Sequence, residues 1–269
     1  MSHLWRGWCL LRPGVLLYGG TIGTTQLHAH HAVHLIVSAE PFTMADAHGR
    51  RLTTRAAVIP PDTGHAVLAG ARGALLAQLD PGSSPGRSLL AHSGAGADAS
   101  TWSPPFPHLA HAGPSPRHRQ VAAPLTFTEP SNGHEHSFEA AAALKIVEDW
   151  TGHRGAEVIP IHPAVEMAIA VIPTLLIGGP VRLDVVAAAV HLSPSRLAHL
   201  FSAHVGIPLR PYVRWQRIQH AIRLVAAGET LTMAAHSAGF TDGSHFTRVF
   251  RRNFGTAPST LAAAIDWLP

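Results

Sequence analysis

The chain is short of several residues that would carry chemistry or a location signal. It has one cysteine, Cys9. A lone thiol excludes a disulfide framework and a cysteine-based zinc site within the chain, and it fits a reducing compartment. Charged residues make up only 13 % of the total, and Lys145 is the only lysine. No apolar run approaches the length of a membrane span. The apolar Trp8-Cys-Leu-Leu11 is stopped by Arg12-Pro13, too early for a signal peptide. A cytoplasmic protein with no membrane partner is expected. Spacing assigns no Ser/His/Asp triad and no catalytic carboxylate pair, so no enzyme class is indicated by motif.

What is abundant is glycine (24), proline (22) and histidine (21). Long connections follow from the first two. At 269 residues, two domains are expected, each large enough for its own core. The charge is unevenly placed. Residues 180–269 hold nine arginines against four acids, whereas residues 1–179 hold eleven basic against twelve acidic side chains. The positive excess therefore sits in the C-terminal third, as phosphate neutralisation requires. A solvated arginine surface is the plainer alternative.

The most informative stretch runs from Ala234 to Pro258. It reads as a short helix, a turn at Gly239, and a longer helix. Gly239 can take the positive φ that ends a helix, and Asp242 or Thr241 can cap the next one. Phe246, Val249, Phe250 and Phe254 form one apolar face, leaving Thr247, Arg248, Arg251 and Arg252 on others. An upstream copy spans Leu183–Phe201. Ala187 matches Ala235 as the small crossing residue, Ser193-Pro194 is an N-cap followed by proline, and His191 stands where glycine is commoner. Ala187 to Leu197 is ten residues and Ala235 to Phe246 is eleven, so the second turn is one residue longer. Between the copies, Pro208–Gly228 reads as one long helix, about 30 Å in length. Successive major-groove faces of B-DNA lie about 34 Å apart. A tandem pair of helix-turn-helix motifs is the result, with outward residues Ser195, Arg196, Ala198 and His199 in the first. Gly243, Ser244, Thr247 and Arg248 take those places in the second, with Arg251 and Arg252 nearer the backbone.

This block resembles the DNA-binding domain of AraC/XylS-type transcription regulators. The matching residues are Leu192-Ser-Pro-Ser-Arg-Leu-Ala-His-Leu-Phe201, Gly206, Tyr212, Arg217, Ala221, Leu224, Gly239-Phe240, Ser244-His-Phe246, Arg248-Val-Phe250, Phe254-Gly255 and Pro258. Met233-Ala-Ala-His236 and Gly243 depart from the family pattern. The resemblance implies contacts to duplex DNA from the ten outward residues. Arg196 is expected on phosphate, Arg248 on guanine or in an ion pair with Asp242, and Ala198 in apolar contact only.

Ahead of this, Leu4 to Leu79 alternates short apolar runs with turns: Val15–Tyr18, Val33–Val37, Ala56–Ile59, Ala66–Leu68 and Ala74–Leu79. A small antiparallel barrel is expected. Gln26–Val37, Val58–His65 and Gln78–Pro81 resemble the cupin-like sensor domain that precedes such DNA-binding domains. His28, His30 or His31, and His65 fall where metal-binding cupins carry ligands, and Glu40 is the one candidate carboxylate. These histidines are candidates for a divalent metal, or they line a ligand pocket, or they cap strands.

The expected fold is therefore α+β in several domains. Residues 1–90 would be a cupin-like antiparallel β-barrel, and 91–162 a Pro/Gly-rich linker with a helix over 137–150. Residues 163–269 would be an all-α double helix-turn-helix domain whose motifs are joined by a long helix. The expected function is non-enzymatic: sequence-specific transcription regulation under a small-molecule effector. Its partners would be promoter DNA, RNA polymerase if it activates, and a second copy if it dimerises. The alternative from another class is a metal-dependent cupin enzyme with an accessory helical domain.

Overall fold

The computed structural model describes residues 4–12, 14–104, 140–147, 161–262 and 264–268. The chain divides into two compact units: Met1–Ala156 together with Arg252–Pro269, and Glu157–Arg251. Residues 252–269 thus belong with the N-terminal unit, which departs from the expected 163–269 domain. Among the described residues no helix is long and apolar enough to cross a membrane.

The N-terminal unit is built on one sheet. It contains β1 (Arg6–Arg12), β2 (Val15–Ile22), β3 (Val33–Asp46), β4 (Arg51–Ile59), β5 (His65–Ala69), β6 (Ala71–Leu79) and β7 (Ile265–Leu268). Their order is β4-β3-β6-β2-β1-β7, with β5 paired to β3. The expected apolar runs all fall in these strands. β3 changes neighbours along its length. Val33–Ser38 pairs with β6, Thr43–Asp46 pairs with β5, and β4 pairs with both halves across a register shift between Val37 and Phe42. Pro41, which cannot donate to a ladder, sits at that break. Only β7 is parallel to its neighbour, β1.

The apolar runs in the strands fall where both faces of the sheet are covered, whereas the first half of β4 and the middle of β3 reach solvent. Alternate residues go to opposite cores. Leu17, Leu35, Val58 and Leu75 enter one. Tyr18, Ile36, Ala57 and Leu76 enter the other. The first core is closed by Leu89 of α1 (Ser84–Ser93) and by Ala140, Ala143 and Val147 of α2 (140–147). Gly19 is needed opposite Trp8: a Cβ there would stand 2.4 Å from the indole ring.

The expected linker is shorter at its front than composition suggests. Residues 91–104 pack onto the sheet. The fully buried Trp102 fills the second core, and its indole N–H donates to the Gly96 carbonyl at 2.9 Å. The Val58 N–H donates to the Trp102 carbonyl at 2.8 Å. Asp46, itself buried, accepts from the Ala99 N–H at 3.1 Å, and Arg50 pairs with Asp98. The remaining expected linker, 105–139 and 148–160, lies outside the described residues, as do the ends of the expected 137–150 helix.

The second unit is helical. It holds α3 (Pro163–Gly178), α4 (Leu183–Ala189), α5 (Pro194–Val205), α6 (Leu209–Ala226), α7 (Leu231–Ser237) and α8 (Gly243–Phe254) up to Arg251. Val165 and Ile172 of α3, Val186 of α4, Leu197 and Phe201 of α5 and Tyr212 of α6 share one core. A last short helix, α9 (Pro258–Ala262), precedes β7.

Replacing Trp102 by alanine should destabilise the N-terminal unit by about 3–5 kcal/mol, the usual range for emptying a buried aromatic site. Urea unfolding of the full chain measures this; a loss below about 1 kcal/mol would mean residues 91–104 are not part of the core.

Candidate nucleic-acid interface and histidine cluster

Both helix-turn-helix motifs close in the same way. His191 has φ 55° and Gly239 has φ 78°. The next amide reaches back five residues in each: Leu192 N–H to the Ala187 carbonyl at 2.9 Å, Phe240 N–H to the Ala235 carbonyl at 3.0 Å. This is the Schellman closure, in which a left-handed residue lets the chain turn sharply and an apolar residue follows it into the core. Ala187 and Ala235 are both fully buried. The motifs diverge one residue later. In the first, Ser193 follows Leu192 directly and caps α5 by accepting from the Arg196 N–H at 3.2 Å. In the second, Thr241 is inserted and Asp242 caps α8, accepting from the His245 N–H at 2.6 Å. The Thr241 hydroxyl lies 3.0 Å from His245 Nδ1, so that ring is occupied in the cap.

The outward faces follow from this geometry. Ser195, Arg196 and His199 of α5 are exposed, and Ala198 is half-buried. On α8, Ser244, Arg248, Arg251 and Arg252 are exposed; Gly243 and Thr247 are half-buried. The Thr247 hydroxyl donates back to the Gly243 carbonyl at 2.8 Å, which commits it to the helix. The His245 N–H holds the Asp242 carboxyl below its ordinary range, with Thr241 and the positive charge of Arg248 helping. The inner face of α8 is aromatic: Phe246 lies 5.1 Å from Phe240 and 5.6 Å from Phe250, ring centre to ring centre. α6 runs 18 residues and buries Tyr212, Trp215, Ile218 and Ile222. Its Arg217 lies against the second turn, 3.5 Å from where a Cβ on Gly239 would stand.

A second constellation lies in the N-terminal unit. His28, His30 and His65 are buried, and each offers a ring nitrogen within 4.8 Å of the others. The His28 and His65 backbones bridge each other at 3.0 and 2.8 Å. Each of these two rings is also held by a carbonyl: His28 Nδ1 is 2.9 Å from the Gln26 oxygen, His65 Nδ1 2.8 Å from that of Thr63. A carbonyl can only accept, so Nδ1 carries the proton and Nε2 the lone pair in both rings. His34, which spacing did not single out, packs against this group. Its Nδ1 is 3.0 Å from His30 Nε2, and its ring lies 5.5 Å from that of His65. Burial, then the neighbouring imidazoles, holds His30 and His34 well below the ordinary histidine range. Burial and then His28 push His65 down to about 3; burial also lowers His28. Burial thus disfavours the charged form of all four rings, and the neutral form is the one that ligates metals.

His31 is not part of this group. It turns the other way and meets Asp62 at 2.8 Å. Glu40 is exposed and accepts from the Arg72 N–H, so it is no ligand candidate. His34 could have been found by parity. On an extended chain, residues 28, 30 and 34 share a face that 31 does not.

Comparison with known proteins places residues 186–264 in a helix-turn-helix domain family. The arabinose operon regulatory protein of Escherichia coli is 35 % identical over 86 residues, covering 31 % of this chain and 30 % of the relative. The transcriptional activator RhaS of Pectobacterium atrosepticum is 34 % identical over 70 residues, 25 % of either chain. The match thus spans under a third of these relatives' own length. The ToxT structure from Vibrio cholerae bound to (E)-4-(8-methylnaphthalen-1-yl)but-3-enoic acid superposes with a TM-score of 0.51 at 13 % identity, over 93 % of this chain and 99 % of that one. Fatty-acid-bound ToxT gives 0.52 at 13 % identity, over 94 % and 96 %. These two extend the similarity of fold to the N-terminal sheet.

Because its folded pKa is depressed, Asp242 stabilises the second motif above the ordinary carboxylate pKa and stops doing so as pH falls through the lowered value. Asp242→Asn should therefore remove part of the acid-induced loss of helicity, measured by circular dichroism through an acid titration. An acid limb identical to the wild type would place the carboxylate outside the cap.

Proposed function

We propose that this chain, whose residues 186–264 are an AraC-type helix-turn-helix domain, is a sequence-specific transcription regulator controlled by an effector in its N-terminal unit. The carrying observation is the duplicated closed turn, each copy presenting exposed cations on its second helix: Arg196 on one, Arg248, Arg251 and Arg252 on the other. Exposed arginines on such a helix meet phosphates and guanine edges. α6 separates the copies by about 27 Å of helix, against about 34 Å between successive major-groove faces. The reading takes one monomer to engage two grooves on one side of the duplex. Ser195, His199 and Ser244 offer hydrogen bonds to bases or phosphates, Ala198 and Gly243 only shape, and the committed Thr247 hydroxyl a methyl surface.

The effector belongs to the N-terminal unit in this reading, and the protein acts on promoter DNA in the cytoplasm without enzymatic turnover. Contact with RNA polymerase follows if it activates, and a second copy if its sites are paired. One observation favours a second reading, a metal-dependent enzyme: the buried imidazole cluster, which spacing alone did not establish as convergent. Turnover by metal-loaded protein in the absence of any specific DNA binding would select it.

Footprinting of the purified protein on its own upstream DNA tests the leading reading. Arg248→Glu should weaken binding by about 1–3 kcal/mol and reduce the slope of log affinity against log salt by about 1. An unchanged slope removes Arg248 from the interface.

A further inference from the structure

The histidine cluster is wired to the end of the second recognition helix. The Gln26 N–H donates to the Gly255 carbonyl and the Ala29 N–H to that of Arg252, both at 3.1 Å. All four residues lie in the N-terminal unit, yet Arg252 is in the last turn of α8. Gly255 is buried with φ +64°, and a Cβ there would stand 2.6 Å from the Gln26 oxygen and 2.7 Å from His28 Nδ1. Gln26 therefore holds His28 with its carbonyl and Gly255 with its amide. Ala29, between two members of the cluster, holds Arg252.

We propose that His28, His30 and His65 bind a divalent transition-metal ion, with His34 packed against His30 beside the site, and that residues 26–30 pass its binding to the end of α8, making the metal the effector. This rests on the reading of the chain as an effector-controlled DNA binder. Three observations carry it. The His28 and His65 rings have Nδ1 fixed by backbone carbonyls, the arrangement that orients a metal-binding imidazole from behind. The Nε2 atom of His65 is buried with no hydrogen-bond partner, a polar group that a metal would satisfy. The set is all nitrogen, since Asp62 is turned to His31 and Glu40 is exposed. Imidazole sets suit zinc, cobalt, nickel, copper or iron and disfavour calcium and magnesium.

The same geometry supplies the relay. Metal–nitrogen bonds of about 2.0–2.1 Å in a tetrahedron place ligand atoms about 3.3 Å apart. The three best-placed nitrogens now lie within 4.8 Å of one another, so binding contracts the group by up to about 1.5 Å. His65 lies in a strand, whereas 26–30 is a connecting segment, so the segment moves. Its two amides carry Arg252 and Gly255 with it.

The test uses full-length protein stripped of metal by a chelator. Titration with Co²⁺ should give, at one equivalent, the strong visible absorption of a four-coordinate site, and Zn²⁺ should bleach it. His65→Ala should abolish the spectrum, and His34→Gln should weaken and shift it. In footprints on the upstream DNA, saturating metal should change affinity by roughly 5–150-fold, the usual range of coupling between two sites. Gln26→Pro deletes one relay amide but keeps the carbonyl on His28. It should bind Co²⁺ like the wild type while its DNA affinity loses most of the response to metal; its Co²⁺ spectrum also reports that it is folded. Absence of stoichiometric Co²⁺ binding overturns the metal site and leaves the regulator reading standing if specific DNA binding persists. Normal Co²⁺ binding with unchanged DNA affinity overturns the relay. Loss of specific DNA binding in both metal states overturns the proposed function and the regulatory half of this proposal together, whatever the spectrum shows.

Discussion

Each helix-turn-helix motif hangs on one backbone bond that spans five residues, from the carbonyls of Ala187 and Ala235 to the amides of Leu192 and Phe240. That bond exists only where the intervening residue takes a positive φ, which His191 and Gly239 do. Once it forms, the exit direction of the chain is set and little else is free. Leu192 and Phe240 are drawn inward, the next cap falls one or two residues later, and the apolar faces of α5 and α8 must turn to the core. The exposed arginines are what remains on the outside. The inserted Thr241 is absorbed locally, by its contacts with Asp242 and His245, without breaking the scheme.

The N-terminal unit obeys a different constraint. Where both faces of its sheet are covered, a strand residue has no solvent-facing alternative, and a polar side chain there must find a partner inside. Asp46 does so through backbone amides. The histidines do so through carbonyls and each other, at the cost of their charge.

How legible this was in the sequence depended on how local each determinant is. The motifs were legible because caps, turn residues and apolar spacing all lie within about twenty positions, and even His191 in a glycine-type conformation follows from such rules. The strands were legible as apolar runs, but not their partners. Residues 91–104 read as linker because composition weighs Gly, Ser and Ala heavily and cannot register that the one indole of Trp102 anchors the segment. The choice between His30 and His31 stayed open because neighbouring residues on extended backbone point oppositely, and parity is set by pairings far along the chain. β7 escaped notice for the same reason: four residues, Ile265–Leu268, become a strand only because β1 offers an edge.

That last strand bears on how the protein is made. β1 precedes the helical block in the chain, and its parallel neighbour follows that block, with residues 265–268. Throughout synthesis of the intervening helices, the nascent sheet carries an unpaired rim beside β1, the kind of edge that recruits foreign strands. The double helix-turn-helix block is thus inserted between two neighbouring strands of one sheet, and β1 gains its second neighbour only after that block has been made. Truncated products that keep both helix-turn-helix motifs but lack residues 265–268 would still carry β1 with that side unpaired.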